Sequence, residues 1–240
     1  MNSSETGGQA SGSPTPSIVL VHGAFVDASG WQHVYTDLTA RGFEVLVTQH
    51  PTQSLDGDVA VVEQAIAAAR GPVVLVGHSY GGAIITAAGI GPKVAALAYV
   101  AAFAPDVGES IAMLTAGPLE DGEIPAPVIP ASEGFLIVDP AGFPQAFAAE
   151  VDAQITRFMA AAQLPWGLQA IGTPLTEAAW KSKPSTYLLA TEDRMIPPRA
   201  QRQMARRAGA PITEVDASHA VMLSQPTKVA DFIAAAAATV

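Results

Sequence analysis

The sequence predicts an α/β fold, a mostly parallel central sheet of about six strands wrapped by helices. Three observations predict it. Short runs that are apolar throughout recur along the chain, as strands covered on both faces require. Helical patterns separate them, so successive strands return in the same direction through crossovers. The composition suits one buried core, with 49% of 240 residues hydrophobic and 14% charged.

Residues 1–16 are Ser, Gly, Thr and Pro without apolar periodicity and are expected to form a disordered leader. They contain no basic n-region and no apolar h-region, so they are not an intact signal peptide. The protein is expected to be soluble; the compartment stays open between cytoplasmic and, if a signal peptide has been removed, secreted. The core is expected over residues 17–105 and 185–240. Its first half reads strand Ile18–Val21, helix Trp31–Ala40, strand Phe43–Thr48, helix Asp58–Ala69, strand Pro72–Val76, helix Tyr80–Ala88 and strand Val94–Ala101. Its second half reads strand Thr186–Ala190, helix Arg199–Arg207, strand Ile212–Val215 and helix Pro226–Ala238.

Between the halves, residues 106–184 break the alternation. An insertion of roughly 80 residues in a compact core is usually functional, and it is read as a cap over the active site. Its first half, residues 106–142, is rich in proline and glycine (Pro118, Pro125, Pro127, Pro130 and Pro140) and is expected to be the more mobile part, opening for substrate. Its second half reads as a helix whose Phe147, Val151, Ile155, Phe158 and Ala162 form one apolar stripe. That stripe is expected to be buried, because an exposed one would invite association.

Charge and composition exclude several classes of function. Twelve basic against twenty-two acidic residues give 12 − 22 = −10, which does not favour nucleic acid. Cysteine is absent, which removes disulfides, thiolate metal sites and a cysteine nucleophile. No apolar run approaches the roughly 18–20 residues that cross a bilayer. Oligomeric state is left open, a homodimer included.

The strongest motif is Gly77-His78-Ser79-Tyr80-Gly81-Gly82. It follows a strand and precedes a helix, the setting of a nucleophile elbow with Ser79 exposed above the sheet edge. A serine hydroxyl needs a base. Of five histidines, only His219 follows Ser79 with room for an acid between them. His78, inside the elbow, is expected to pack beneath it; His33 and His50 read as structural or surface residues. The acid is placed at Asp193, where Asp193-Arg194-Met195-Ile196-Pro197 ends a strand ahead of a proline-started helix. Glu192 and Asp106 remain competitors for that role. In the His22-Gly23-Ala24 turn, Gly23 lets the Ala24 N–H turn inward beside that of Tyr80, giving two oxyanion donors.

With these elements in order, the chain resembles the α/β-hydrolase fold superfamily over essentially all of Ser17 to Val240. The Val21-His22-Gly23-Ala24 opening and the Ser218-His219-Ala220-Val221-Met222-Leu223-Ser224-Gln225-Pro226 ending are similar to the plant esterase and hydroxynitrile lyase branch and its bacterial carboxylesterase relatives. The resemblance implies a serine hydrolase cleaving small-molecule carboxylic esters through an acyl-enzyme. Ser79, Asp193 and His219 would be the triad, the Ala24 and Tyr80 amides the oxyanion hole, and no metal or cofactor would be needed. The lyases resembled carry a threonine and a lysine where this chain has Gly23 and Arg194, which weakens the lyase alternative. Lactonase and cofactor-free perhydrolase chemistry use the same triad and stay open. A weakly catalytic small-ligand receptor is the alternative from another class. The cap residues Phe135, Leu136, Phe147, Phe158, Met159, Leu164 and Trp166 offer an apolar lining.

Overall fold

The computed structural model describes residues 15–118, 120 and 123–240. The expected leader therefore falls almost wholly outside the described residues. From the first strand the chain runs β1 (Ser17–Val21), α1 (Gln32–Ala40), β2 (Glu44–Val47), α2 (Leu55–Ala68), β3 (Val73–His78), α3 (Gly81–Ala88) and β4 (Val94–Val100). A long excursion follows, with α4 (Ile111–Thr115), β5 (Val128–Ser132), β6 (Phe135–Val138), α5 (Phe143–Phe147), α6 (Ala153–Ala161), β7 (Trp166–Gly167) and α7 (Leu168–Gly172). The chain then resumes with β8 (Ser185–Ala190), α8 (Pro198–Arg207), β9 (Ile212–Val215), α9 (Val221–Ser224) and α10 (Pro226–Ala237).

Six strands form one sheet in the order β2-β1-β3-β4-β8-β9, and each neighbouring pair is parallel. The continuous apolar runs are explained by burial on both faces. Val19, Val21, Val73 and Leu75 enter one core cluster, whereas their neighbours Ile18, Leu20, Val74 and Val76 enter the other. Strand order reverses between β1 and β3, since β2 lies on one side of β1 and β3 on the other. A crevice at such a switch point, beyond the strands' carboxyl ends, is where open α/β sheets place ligands. Val21 pairs with Gly77 and His78 with Val100, so the turns after β1, β3 and β4 leave the sheet side by side.

Three features depart from the sequence reading. The proline-rich half of the excursion holds strands β5 and β6, which with the later β7 form a second, antiparallel sheet of three strands that the sequence did not announce. Gly134, at φ +80°, closes the β5–β6 turn, and Pro130 interrupts the run that would have announced a strand. The apolar stripe is likewise not one helix. Helix α5 ends at Phe147, and Asp152 starts α6 anew by accepting from the Gln154 and Ile155 amides. The break shifts the helical phase, so the buried residues of α6 are Thr156 and Ala160. Ile155 and Phe158 point outward at 49% and 72% exposure, while Phe147 is buried. Helix α2 also starts earlier than its periodicity suggested, because Ser54 caps it by accepting from Gly57 N.

Candidate active site

Ser79 lies at the sharp turn from β3 into α3 with φ +53°, a left-handed conformation that costs a non-glycine residue free energy. The turn is held from three sides. Ser79 N donates to Val100 O (3.3 Å), while Ser79 O accepts from Gly82 N (3.0 Å) and Phe103 N (3.0 Å). Gly81 lets α3 start directly against β1, since a Cβ there would lie 2.6 Å from His22 O. Gly23 faces the serine itself, and a Cβ on it would lie 2.7 Å from Ser79 Cβ. The sequence reading gave Gly23 a conformational role; close approach is the physical requirement the structure displays.

Asp193 and His219 come together at the ends of β8 and β9. His219 Nδ1 lies 2.7 Å from Asp193 Oδ2. That carboxylate is anchored on both oxygens: Oδ1 accepts from Met195 N (2.7 Å) and Ile196 N (2.9 Å), and Oδ2 also from Gln201 Nε2 (2.8 Å). An acceptor so fully engaged calls for a proton on His219 Nδ1, which leaves Nε2 with a free lone pair. His219 Nε2 is buried and has no partner among the described residues. The competitors for the acid sit elsewhere. Glu192 is exposed, and Asp106 pairs with Lys181 at 2.6 Å, a contact that lowers its carboxyl pKa.

His78 links the elbow to the histidine loop. Its Nε2 lies 2.9 Å from His219 O, so it donates to that carbonyl, and the two rings are 4.6 Å apart. Burial pushes the His78 pKa well down and keeps the ring neutral. His50 is buried rather than superficial and stacks on His22 with ring centroids 3.7 Å apart. His22 accepts from His50 N through Nε2 (3.3 Å) and donates from Nδ1 to Gly23 O (2.8 Å), which steadies the turn after β1. His33 is exposed. Next to Ala24, Phe25 holds φ +67°, a second constrained backbone beside the elbow. Neither the Ala24 nor the Tyr80 N–H donates to a backbone or side-chain acceptor among the described residues.

The excursion between β4 and β8 reaches this edge of the sheet. Phe147 packs edge-on against His219 with centroids 4.8 Å apart, and Ala220 N donates to Phe147 O (2.8 Å). Trp166 lies against Tyr80 at 5.3 Å. The arrangement holds a hydroxyl on a strained turn, an oriented imidazole with a free nitrogen, and two uncommitted amides. Among the described residues no group of three or more His, Asp or Glu side chains is placed to hold a metal ion, and no helix is long and apolar enough to cross a membrane.

Sequence reasoning missed Gln201, which locks Asp193 from one turn into α8. It also missed Asp58, which bonds the Tyr80 phenol (2.7 Å). Neither carries a local signal, because a polar side chain on a helix does not show in the sequence which buried partner it meets.

Comparison with known proteins agrees with the fold. An alpha/beta hydrolase, nvfD, of Aspergillus novofumigatus is 28% identical over 245 residues, covering 92% of this chain and 96% of its own. A pyrethroid hydrolase from Sphingobium faniae JZ-2 superposes with a TM-score of 0.80 at 24% identity, covering 93% of this chain and 97% of its own. A methylesterase from Arabidopsis superposes with a TM-score of 0.77 at 19% identity, over 94% of this chain and all of its own. Residues 18–232 match the model of the alpha/beta hydrolase family, and the chain belongs to that family.

Proposed function

We propose that this hydrolase cleaves carboxylic esters of small molecules by serine catalysis, with Ser79 as nucleophile, His219 as general base and acid, and Asp193 as the group that orients His219. The Asp193–His219 bond, which leaves Nε2 free at the edge of the sheet where the strained Ser79 turn stands, carries the reading. Ser79 Oγ attacks the ester carbonyl carbon as its proton passes to His219 Nε2. The carbonyl oxygen becomes an oxyanion that accepts hydrogen bonds from the Ala24 and Tyr80 amides; losing one such donor typically costs about 3–4 kcal/mol. His219 returns the proton to the leaving alcohol, and an acyl group stays on Ser79. Water then repeats the steps in reverse, with His219 as base, to release the acid and restore the hydroxyl. Asp193 holds the imidazole tautomer and stabilises its cation without taking the proton.

Residues 106–184 act as a cap in this reading. Phe147 and Trp166 place apolar rings over the histidine and the elbow, which excludes water and suits acyl or aromatic groups. The names of similar proteins, a pyrethroid hydrolase and a methylesterase, are consistent with ester substrates. The test is turnover of a short-chain p-nitrophenyl ester beside a panel of other esters and lactones. Hydrolysis by the wild type and none by Ser79→Ala is expected. A wild type that binds the ester without turning it over would instead favour a receptor.

A further inference from the structure

One buried carboxylate has no task in that mechanism. Asp58, on α2, is wholly buried and faces the elbow. Its Oδ2 accepts from the Tyr80 hydroxyl (2.7 Å) and its Oδ1 from Thr52 N (3.0 Å). Burial raises its pKa to about 6, a cost that a carboxylate on the helix's solvent face would not carry. Thr52 holds φ +57°, an unfavourable conformation for a β-branched residue.

The other polar groups of Thr52 go to the cap. Its Oγ1 donates to Pro165 O (3.1 Å), and Gly167 N donates to Thr52 O (2.9 Å). A Cβ on Gly167 would lie 2.2 Å from Gln53 O, so this stretch rests directly on the Thr52 loop. The same stretch reaches the turn after β1. Leu164 N donates to Phe25 O (3.3 Å), and Trp166 stands edge-on to Phe25 at 5.4 Å while lying against Tyr80. Residues 164–167 thus bear on both loops that carry the Ala24 and Tyr80 amides.

We infer that Asp58 is a positioning residue, acting through the Tyr80 phenol to hold the Tyr80 N–H in place as an oxyanion donor, and that seating of residues 164–167 on the same loops couples the cap to that geometry. The inference rests on the assignment of the Ala24 and Tyr80 amides under the proposed function. Its physical basis is preorganisation, because an oxyanion donor helps only if it is already aimed when charge develops. Tyr80 is fixed at both ends, its backbone by the elbow and its phenol by Asp58, so it cannot turn about its own Cα. The Asp58 carboxylate bonds only Tyr80 and Thr52 among the described residues, so it acts on the site through them.

The test uses the full chain and a p-nitrophenyl ester, with kcat normalised to active sites by the burst of p-nitrophenol. Tyr80→Phe keeps the ring that packs on Trp166 and removes only the hydroxyl; Asp58→Ala removes the acceptor, whereas an asparagine amide there would still donate to the phenol oxygen. Each should lower kcat at least about fivefold with KM within about threefold, since the amide acts mainly in the tetrahedral states. In the Tyr80→Phe background, Asp58→Ala should cost no more than about a further twofold, because its effect on the amide passes through the missing hydroxyl. Gly167→Ala, which must lift the cap from the Thr52 loop, should lower kcat in the same sense. Wild-type kcat in Tyr80→Phe, or losses that multiply in the double variant, would overturn the positioning role. Unchanged kcat in Gly167→Ala would overturn the coupling to the cap. Ser79→Ala separates the two levels: activity surviving in it removes the serine reading itself, whereas an inactive Ser79→Ala beside a fully active Tyr80→Phe removes only the positioning role.

Discussion

Replacing Asp193 with asparagine changes one atom and, by the hydrogen bonds around it, should disable the base. Oδ1 of Asp193 accepts from the Met195 and Ile196 amides, and Oδ2 from His219 Nδ1 and Gln201 Nε2. Backbone amides cannot turn, so the asparagine oxygen must stay toward residues 195 and 196. The new Nδ2 group then faces His219 Nδ1 and must donate to it. That moves the imidazole proton to Nε2, the nitrogen that takes the Ser79 proton in the proposed mechanism. A triad held in this wrong tautomer loses on the order of 10⁴ in kcat. The same Nδ2 also faces Gln201 Nε2, another donor, which is held in place because it donates as well to Ile196 O (2.8 Å) and its Oε1 accepts from Ala190 N (3.3 Å). One buried donor is left unsatisfied, a cost of about 1–3 kcal/mol in stability. Steady-state ester hydrolysis with a denaturant titration reads both effects, and KM should stay near wild type. Activity within tenfold of wild type in folded Asp193→Asn would refute the reasoning and return the role to another acid.

Further predictions concern groups around the serine. Gly23→Ala would put a methyl 2.7 Å from Ser79 Cβ; ester kcat should fall by about 10² or more, with about 1–3 kcal/mol lost in urea unfolding, and a fully active variant would show that the turn can yield. Asp58 carries a folded-state pKa raised from its ordinary 3.8 to about 6 by burial among Thr52, Tyr80 and the α2 packing. A raised acid holds its proton more tightly when folded, so its contribution is most favourable at low pH and is lost as pH rises from about 4 to about 6. Asp58→Asn should therefore become more stable relative to wild type across that window, by at most about 3 kcal/mol, and a difference in urea unfolding that does not change with pH would contradict the shift. Phe158→Ser, at a side chain 72% exposed, should alter unfolding free energy by no more than about 0.5 kcal/mol, whereas a large loss would mean that this ring packs against something in solution.

Much of the fold was legible because burial on both faces writes itself into the sequence as unbroken apolar strands. Ile18 to Val21 and Val73 to Val76 show no alternation, and the structure sends their side chains to opposite cores. The elbow was legible for another local reason, since a tight strand-to-helix turn needs small residues at fixed offsets from Ser79. Asp193 announced itself through the turn it caps two and three residues on. The excursion was not legible. Its sheet pairs Phe135–Val138 with Val128–Ser132 across a tight turn and with Trp166–Gly167 much later in the chain, and Pro130 hid the first run. The stripe from Phe147 to Ala162 was counted across a break, where Asp152 restarts the helix with a new phase. Gln201 and Asp58 were invisible because a glutamine or aspartate on a helix carries no sign of which buried partner it meets.

The central claim is that Ser79 carries the acyl group between two half-reactions. It is tested most directly by quenching the enzyme in acid during turnover of a p-nitrophenyl ester and mapping added mass on its peptides. The acyl mass is predicted on the peptide containing Ser79, formed at the rate of the p-nitrophenol burst and absent from Ser79→Ala. Turnover of the ester with no acyl adduct under conditions where deacylation limits the rate, or an adduct on another residue, would contradict it.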